Sequence, residues 1–259
     1  MANNSARVRA KTDGRAVATK FPPSVDGTPV ENELLLNLPS GECELIFPEL
    51  TFLPLQTHDI LHEPGEAIRF GYFMNSGLAS VLNVMADGKS VEVGLTGREG
   101  FVGLPLIVGL SSSPNRTVIQ IAGSAFRIRA ADFMNALRRC PTLNKRLQRF
   151  EQVLAMQGTQ VAACNRLHEV DQRLARWLLM SQDRIGSATV PLTQEFLGHM
   201  LGTRRSSVTV SAGRLQKAGL ITYHRGAVQI ENRSGLLRAT CECYHSMERQ
   251  TKKWLSEAQ

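Results

Sequence analysis

Arg204 and Arg205 stand side by side where an amphipathic helical pattern opens. Ser206, Ser207, Thr209 and Val210 follow within a turn or two, and Arg214 one turn further. Positive charge at a helix N-terminus opposes the helix dipole, so two exposed guanidinium groups there are awkward unless an anion meets them. A guanidinium can donate to both acceptors on a guanine edge in a DNA major groove, and hydroxyls such as those of Ser206 and Thr209 reach bases or phosphates. Thr193, Gln194, Ser207 and Arg225 are placed for phosphate contacts, which fix register and carry little sequence information. Between Leu192 and Gly226 five basic residues face a single acidic one. The chemistry these types and spacings fit is recognition of duplex DNA.

Such side chains need a scaffold that presents the start of a helix. Thr193 is a good N-cap for a first helix, with Phe196, Leu197, Met200 and Leu201 on its apolar face. Gly202 permits a tight turn. Thr203 is expected to cap a second helix from Arg204 to Gly219, packed through Val208, Leu215 and Ala218, with Ala212 small enough for close approach. Two helices joined by a glycine turn form a helix-turn-helix, whose second helix enters the groove N-terminal end first. Residues 220–223 and 227–230 read as two strands around His224, Arg225 and Gly226, a wing. A helical hairpin used only for packing is the alternative, and it leaves the arginine pair unexplained. Upstream, residues 169–184 form an amphipathic helix with Val170, Leu174, Trp177 and Leu178 on one face, ended by Gly186.

A long helix starts at Pro141. Leu143, Leu147, Phe150, Leu154, Gln157, Val161 and Cys164 are spaced alternately by four and three, a heptad seam. The flanking positions are polar or small, so a second copy of the same helix is the favoured partner and the chain's own β domain the alternative. Residues 50–129 carry turn signals every eight to twelve positions, among them Asp87-Gly88, and strand alternation in Val91, Val93 and Leu95. This reads as a rolled β domain, with a short helix near residues 132–139 and another near 31–38. Residues 1–30 read as a disordered basic tail.

Net charge is +7, divided as +3 over residues 1–30, −2 over 31–165 and +6 over 166–259. A mildly acidic body with a basic C-terminal third suits one part that meets a polyanion. No apolar run approaches the ~18–20 residues that span a bilayer, and the N-terminal charges have no apolar run behind them, so neither a membrane protein nor a secretory signal is expected. Five scattered cysteines argue against a disulfide framework and for the cytoplasm. Hydrolase, metalloprotease, Walker-type and dinucleotide-binding motifs are absent, so no catalytic residues are assigned.

A β-roll, a long helix and a winged helix-turn-helix, in that order, resemble the Crp/Fnr family of bacterial transcription regulators. The similarity covers about residues 31–245 and is strongest in EVDQRLARWLLM and LTQEFLGHMLGTRRSSVTVSAGRLQKAGLI. It implies an α+β chain: a β-roll sensor domain of the double-stranded β-helix or jelly-roll type, similar to cyclic-nucleotide-binding domains (31–140), a dimerisation helix (141–167) and a DNA-binding domain (168–259). It implies DNA and a second copy of the chain as partners, with RNA polymerase a further candidate. By position Arg205 looks like the family's base-reading Arg. Ser206 replaces the Glu common next to it, and Val210 stands near where another Arg often occurs, so the target sequence is expected to differ.

Family members that bind cyclic AMP use a Glu for the ribose and an Arg for the phosphate. Here Gly103, Leu104, Pro105 and Leu106 occupy the first stretch, and Arg116-Thr117 keeps the phosphate half. With the ribose acceptor gone, cyclic AMP is not expected to bind in the usual way, and no cofactor or effector is assigned. Thr159 is a further candidate for the pocket. Cys241, Cys243 and His245 lie close in sequence, but a zinc site wants about four ligands, so they read as packing, and His58 and His62 as ordinary residues of the roll. The resulting expectation is a homodimeric, sequence-specific transcription regulator with an altered effector pocket. A non-specific architectural DNA binder is the alternative.

Overall fold

The structure is a computed structural model that describes residues 23–224 and 226–256. Most of the expected tail lies outside the described residues, but its last part is ordered. Strands β1 (Ser24–Val25) and β2 (Thr28–Pro29) form a hairpin around Asp26 and Gly27, both at positive φ. Asp-Gly is a two-residue hairpin signal, and Val25 and Val30 are buried. Residues 23–30 are therefore structured, where a tail running to residue 30 was expected.

Short helices α1 (Glu33–Leu36) and α2 (Ser40–Ile46) lead into the roll. Buried Asn32 fixes this entry, its Nδ2 donating to the carbonyls of Met74 and Gly100 at 2.8 Å each. The roll comprises β3 (Thr51–Leu55), β4 (Ile60–His62), β5 (Phe70–Val84), β6 (Ser90–Thr96), β7 (Phe101–Val102) and β8 (Arg116–Arg129). Its main sheet runs β3-β8-β5-β6, with β4 on β8 and β7 on β5, every pairing antiparallel. β5 and β8 stay paired along most of their length, but their register shifts repeatedly between Met74 and Ala79. Such bulges bend a strand and increase its twist. Each long strand thereby serves both ends of the roll.

Helix α3 (Ala130–Arg139) closes the roll, and α4 (Pro141–Leu167) follows. Buried Glu42 reaches across to cap α4, its two carboxylate oxygens accepting from the backbone N–H groups of Thr142 and Leu143 at 2.9 Å. A carboxylate there also suits the helix dipole. The heptad seam does not face solvent. Leu143, Leu147 and Phe150 sink into the core of the roll beside Phe73, Phe101 and Phe133, and Leu154 packs at its edge. Phe150 lies so close over Gly100 that a Cβ there would fall 2.1 Å from its ring.

Farther along, Val161 and Cys164 join a second core with Trp177, Leu178 and Met247. Gln157 donates to Thr251 Oγ1 at 3.0 Å. The seam expected to form a dimer is thus covered by its own chain, above all by the roll and by α9 (Glu242–Ser256). A narrow apolar stripe specifies that something covers it, and here the cover is intramolecular.

Helix α5 (Val170–Ile185) starts with a capping box between Glu169 and Gln172 and stops at Gly186. Its buried face meets the roll directly. Trp177 Nε1 donates to Glu92 at 2.9 Å, and Arg184 pairs with Glu99 at 2.8 Å. Among the described residues no helix is long and apolar enough to cross a membrane.

Candidate functional site

Beyond Gly186 the chain builds β9 (Thr189–Pro191), α6 (Gln194–Met200), α7 (Arg205–Lys217), β10 (Ile221–His224), β11 (Ala227–Ile230) and α8 (Arg233–Ala239). Thr193 caps α6, its hydroxyl accepting from the Phe196 N–H at 3.2 Å. The turn to α7 passes through Gly202 at φ 56°. Arg173, buried on α5, donates to the Leu201 carbonyl and so ties the turn to the helix beneath it.

The cap of α7 differs from expectation. Thr203 spends its N–H on the Gly198 carbonyl at 2.9 Å and closes the turn. Arg204 is the N-cap residue, and its side chain makes no capping bond. Nor is there an acidic side chain in the first turn. The first N–H groups of a helix have no intrahelical partner, so α7 opens with donors and two guanidinium groups together, a suitable seat for a phosphate or a base edge.

The helix divides cleanly. Val208, Ser211, Ala212 and Leu215 are buried, while Arg204, Arg205, Ser206, Thr209, Val210 and Arg214 are exposed and Ser207 is half-buried. Ala218, expected on the inner face, is exposed at the C-terminal end. Thr209 Oγ1 donates to the Arg205 carbonyl at 3.0 Å. Arg214 is held back by Asp171 at 3.1 Å. Val210 keeps 54% of its surface exposed, an apolar side chain among polar ones. The wing is a three-stranded sheet, β10-β11-β9, in which β9 is an addition to the two strands expected. Arg225 and the side chain of Gln194 lie outside the described residues.

The expected effector residues are only partly brought together. A cavity of about 410 Å³ lies between the roll and α4, and Gly103, Leu104, Pro105 and Thr117 line it. Leu106 does not: it is buried in the core of the roll. Thr159 is exposed on α4 and donates to the Met156 carbonyl. Arg116, the candidate phosphate partner, is paired with Glu63 at 2.9 Å and is not part of the wall. The charged side chain that does line the cavity is Glu151, with no Lys or Arg beside it.

His62, expected to be an ordinary residue of the roll, also lines this cavity. It is buried, and its Nε2 meets no hydrogen-bond partner among the described residues. Burial pulls its pKa down to about 4, so the ring is neutral. His58, by contrast, is exposed, its ring 5.8 Å from that of Phe196.

The cysteines form a group that local spacing did not reveal. Cys241 and Cys243 meet Cys164 and His168 from the end of α4, with all four ligand atoms within 4.8 Å of one another. His245 is exposed and is not among them. The missed signal was Cys164-x3-His168, two ligand types one helical turn apart.

A family model described as a Crp-like helix-turn-helix domain matches residues 172–239. No curated protein matches the chain. Among solved structures, FixK2 from Bradyrhizobium japonicum is similar with a TM-score of 0.64 and 14% identity, over 74% of this chain and 98% of that one. The c-di-GMP-responsive global regulator CLP of Xanthomonas campestris is similar with a TM-score of 0.62 and 16% identity, over 74% and 98%. A CRP-family transcriptional regulator from Thermus thermophilus gives a TM-score of 0.59 and 20% identity, over 72% and 95%. Residues 172–239 are a Crp-like helix-turn-helix domain, carried on a chain that has the fold of the Crp/Fnr transcription regulators.

Proposed function

We propose that this protein is a sequence-specific transcription regulator that binds duplex DNA as a homodimer and has no catalytic role. The observation that carries the proposal is the start of α7. Arg204, Arg205, Ser206, Thr209 and Val210 project from an uncapped helix end in a helix-turn-helix, with no carboxylate in the first turn to neutralise them. Arg205 is the base-reading residue and Val210 offers an apolar contact to a thymine methyl group. Arg204, Thr193 and Ser207 hold phosphates, as do Gln194 and Arg225. Thr203 supports them by closing the turn. Arg214 joins only when Asp171 releases it. RNA polymerase is a further partner, and the cytoplasm the place of action.

The dimer contact moves to the other side of α4. Gln148, Gln152, Ala155, Thr159, Ala162 and Arg166 are exposed and repeat with spacings of four and three. Small side chains at Ala155, Thr159 and Ala162 let two copies of the helix approach closely. Each copy would then place one α7 in a major groove, with half-sites ~34–36 Å apart.

Any effector in the roll is uncharged. The cavity offers Glu151 and neutral His62 among mostly apolar walls, with the hydroxyl and amide groups of Thr96, Ser113, Asn115 and Thr117 and no Lys or Arg, a lining that disfavours a phosphate and suits a small uncharged molecule. Cyclic AMP does not fit these walls.

Selection of bound sites from a random DNA pool tests the function. The expected result is a near-palindromic site, at which Arg205→Ala loses ~1–3 kcal/mol and relaxes discrimination at one base pair. A pool that yields no preferred site, with steep salt dependence, would make the protein an architectural binder.

A further inference from the structure

We infer that Cys164, His168, Cys241 and Cys243 form a structural zinc(II) site that clamps the end of α4 to the start of α9. Four features of the group support this. The first is ligand number and type: three sulfurs and one imidazole nitrogen, the complement of closed tetrahedral zinc sites.

The second is spacing. Cys164 Sγ and Cys241 Sγ are 3.6 Å apart, and Cys243 Sγ is 3.6 Å from His168 Nδ1. With Zn–S about 2.3 Å and Zn–N about 2.0–2.1 Å, a tetrahedron has edges of about 3.8 Å between sulfurs and about 3.6 Å between sulfur and nitrogen. The four atoms lie within 4.8 Å of one another, room for one ion and not for a two-iron core with ligands at opposite ends.

The third feature is the surroundings. His168 Nε2 faces the Glu242 carboxylate at 3.2 Å, which leaves Nδ1 to present its lone pair to the group. A carboxylate behind a histidine in this way fixes its tautomer and orientation at metal sites. Gln160 Nε2 donates to Cys243 Sγ at 3.1 Å, a bond suited to a metal-bound thiolate. Three thiolates around Zn(II) leave one net negative charge, and two buried arginines, Arg173 and Arg176, act electrostatically on Cys164. On binding, each thiol gives up its proton to solvent as the Zn–S bond forms.

The fourth feature is place. His168 ends α4, and the next residue caps α5. The cysteines are buried and none is in a disulfide. The ion would therefore sit at the joint between the long helix and the helix-turn-helix domain, with no open position for a substrate. Its role is to fix that joint.

Metal analysis of the full-length chain, after exchange into metal-free buffer, is expected to return one zinc per chain. Replacement by Co(II) should give the visible absorption of a tetrahedral ion with thiolate charge-transfer bands. Cys164→Ser and Cys241→Ser should lose those bands, while Cys43→Ser keeps them. If the cysteine variants do not fold, Glu242→Gln, a surface change, is expected to weaken zinc binding ~10–100-fold. The inference is overturned if the wild-type chain takes up neither zinc nor tetrahedral Co(II), if Cys241→Ser retains both, or if a Cys164–Cys241 disulfide replaces the metal in protein purified under reducing conditions. These readouts use no DNA and stand apart from the proposed regulatory role.

Discussion

Helices α4 and α7 carry equally regular patterns of apolar and polar positions, and the fold uses them in opposite ways. α7 lays Val208, Ala212 and Leu215 on its own small domain and leaves its polar side exposed. α4 buries the stripe that looked like an intermolecular seam, and exposes a face of glutamine, alanine and threonine. Periodicity identifies which face is covered but is silent about what covers it. For α7 the cover comes from within a few tens of residues. For α4 it comes from the roll on one side and from α9, about a hundred residues later, on the other.

The contrast is most directly broken at Leu147. Leu147→Ala empties a fully buried position in the core of the roll, and large-to-small changes there cost ~2–5 kcal/mol. Urea unfolding should show this loss, with the folded fraction still associating as wild type. Thr159→Glu, one of the exposed positions, should leave the unfolding midpoint nearly unchanged and yield monomers in sedimentation. If Leu147→Ala instead produced stable monomers, the seam would be intermolecular after all.

A second prediction concerns the contact between roll and helix-turn-helix domain. Glu92 is buried, accepts from Ser80 at 2.7 Å and from Trp177 at 2.9 Å, and burial raises its pKa to about 7. The folded-state pKa lies above the ordinary value of 4.5, so folding favours the protonated acid. Its stabilising contribution is full below about pH 4.5 and is lost as pH rises through about 7. The loss is on the order of 2–4 kcal/mol, taking 1.36 kcal/mol per pKa unit. Unfolding free energy should therefore fall between pH 5 and pH 8, and Glu92→Gln should flatten the fall. An unaltered pH profile in that variant would mean that Glu92 ionises freely in the folded chain.

What could be read in advance follows the same division. The helix-turn-helix was legible because every determinant is local: Thr193 as a cap, Gly202 at the turn, the arginine pair one residue on. Thr203 misled because a threonine before a helix usually caps it, and here the chain is still in the turn at Thr203 and the helix begins one residue later, with Arg204 at the cap position. The roll was legible as β structure through its turns. Its cavity was not, since His62 comes from a short strand far from Gly103 and Thr117, and Arg116 is withdrawn by Glu63, more than fifty residues away. The cysteine group needed the pairing of α4 with α9, which no spacing within either segment contains.

The smallest effect is expected at Val210, and it bears on how α7 reads DNA. An exposed valine amid arginine, serine and threonine adds nothing to the core, so Val210→Ala should leave stability within ~0.5 kcal/mol. In the groove its methyl groups can contact only an apolar feature, and the thymine methyl is the apolar feature that the major groove offers. The variant should lose about 1 kcal/mol or less at sites with thymine there and nothing at sites without it. Arg205→Ala, by contrast, should weaken recognition at a guanine. Binding of both variants to a panel of single-base variants of the selected site separates the two. A uniform loss across that panel for Val210→Ala would mean that the valine only excludes water, and that Arg205 reads the site without its help.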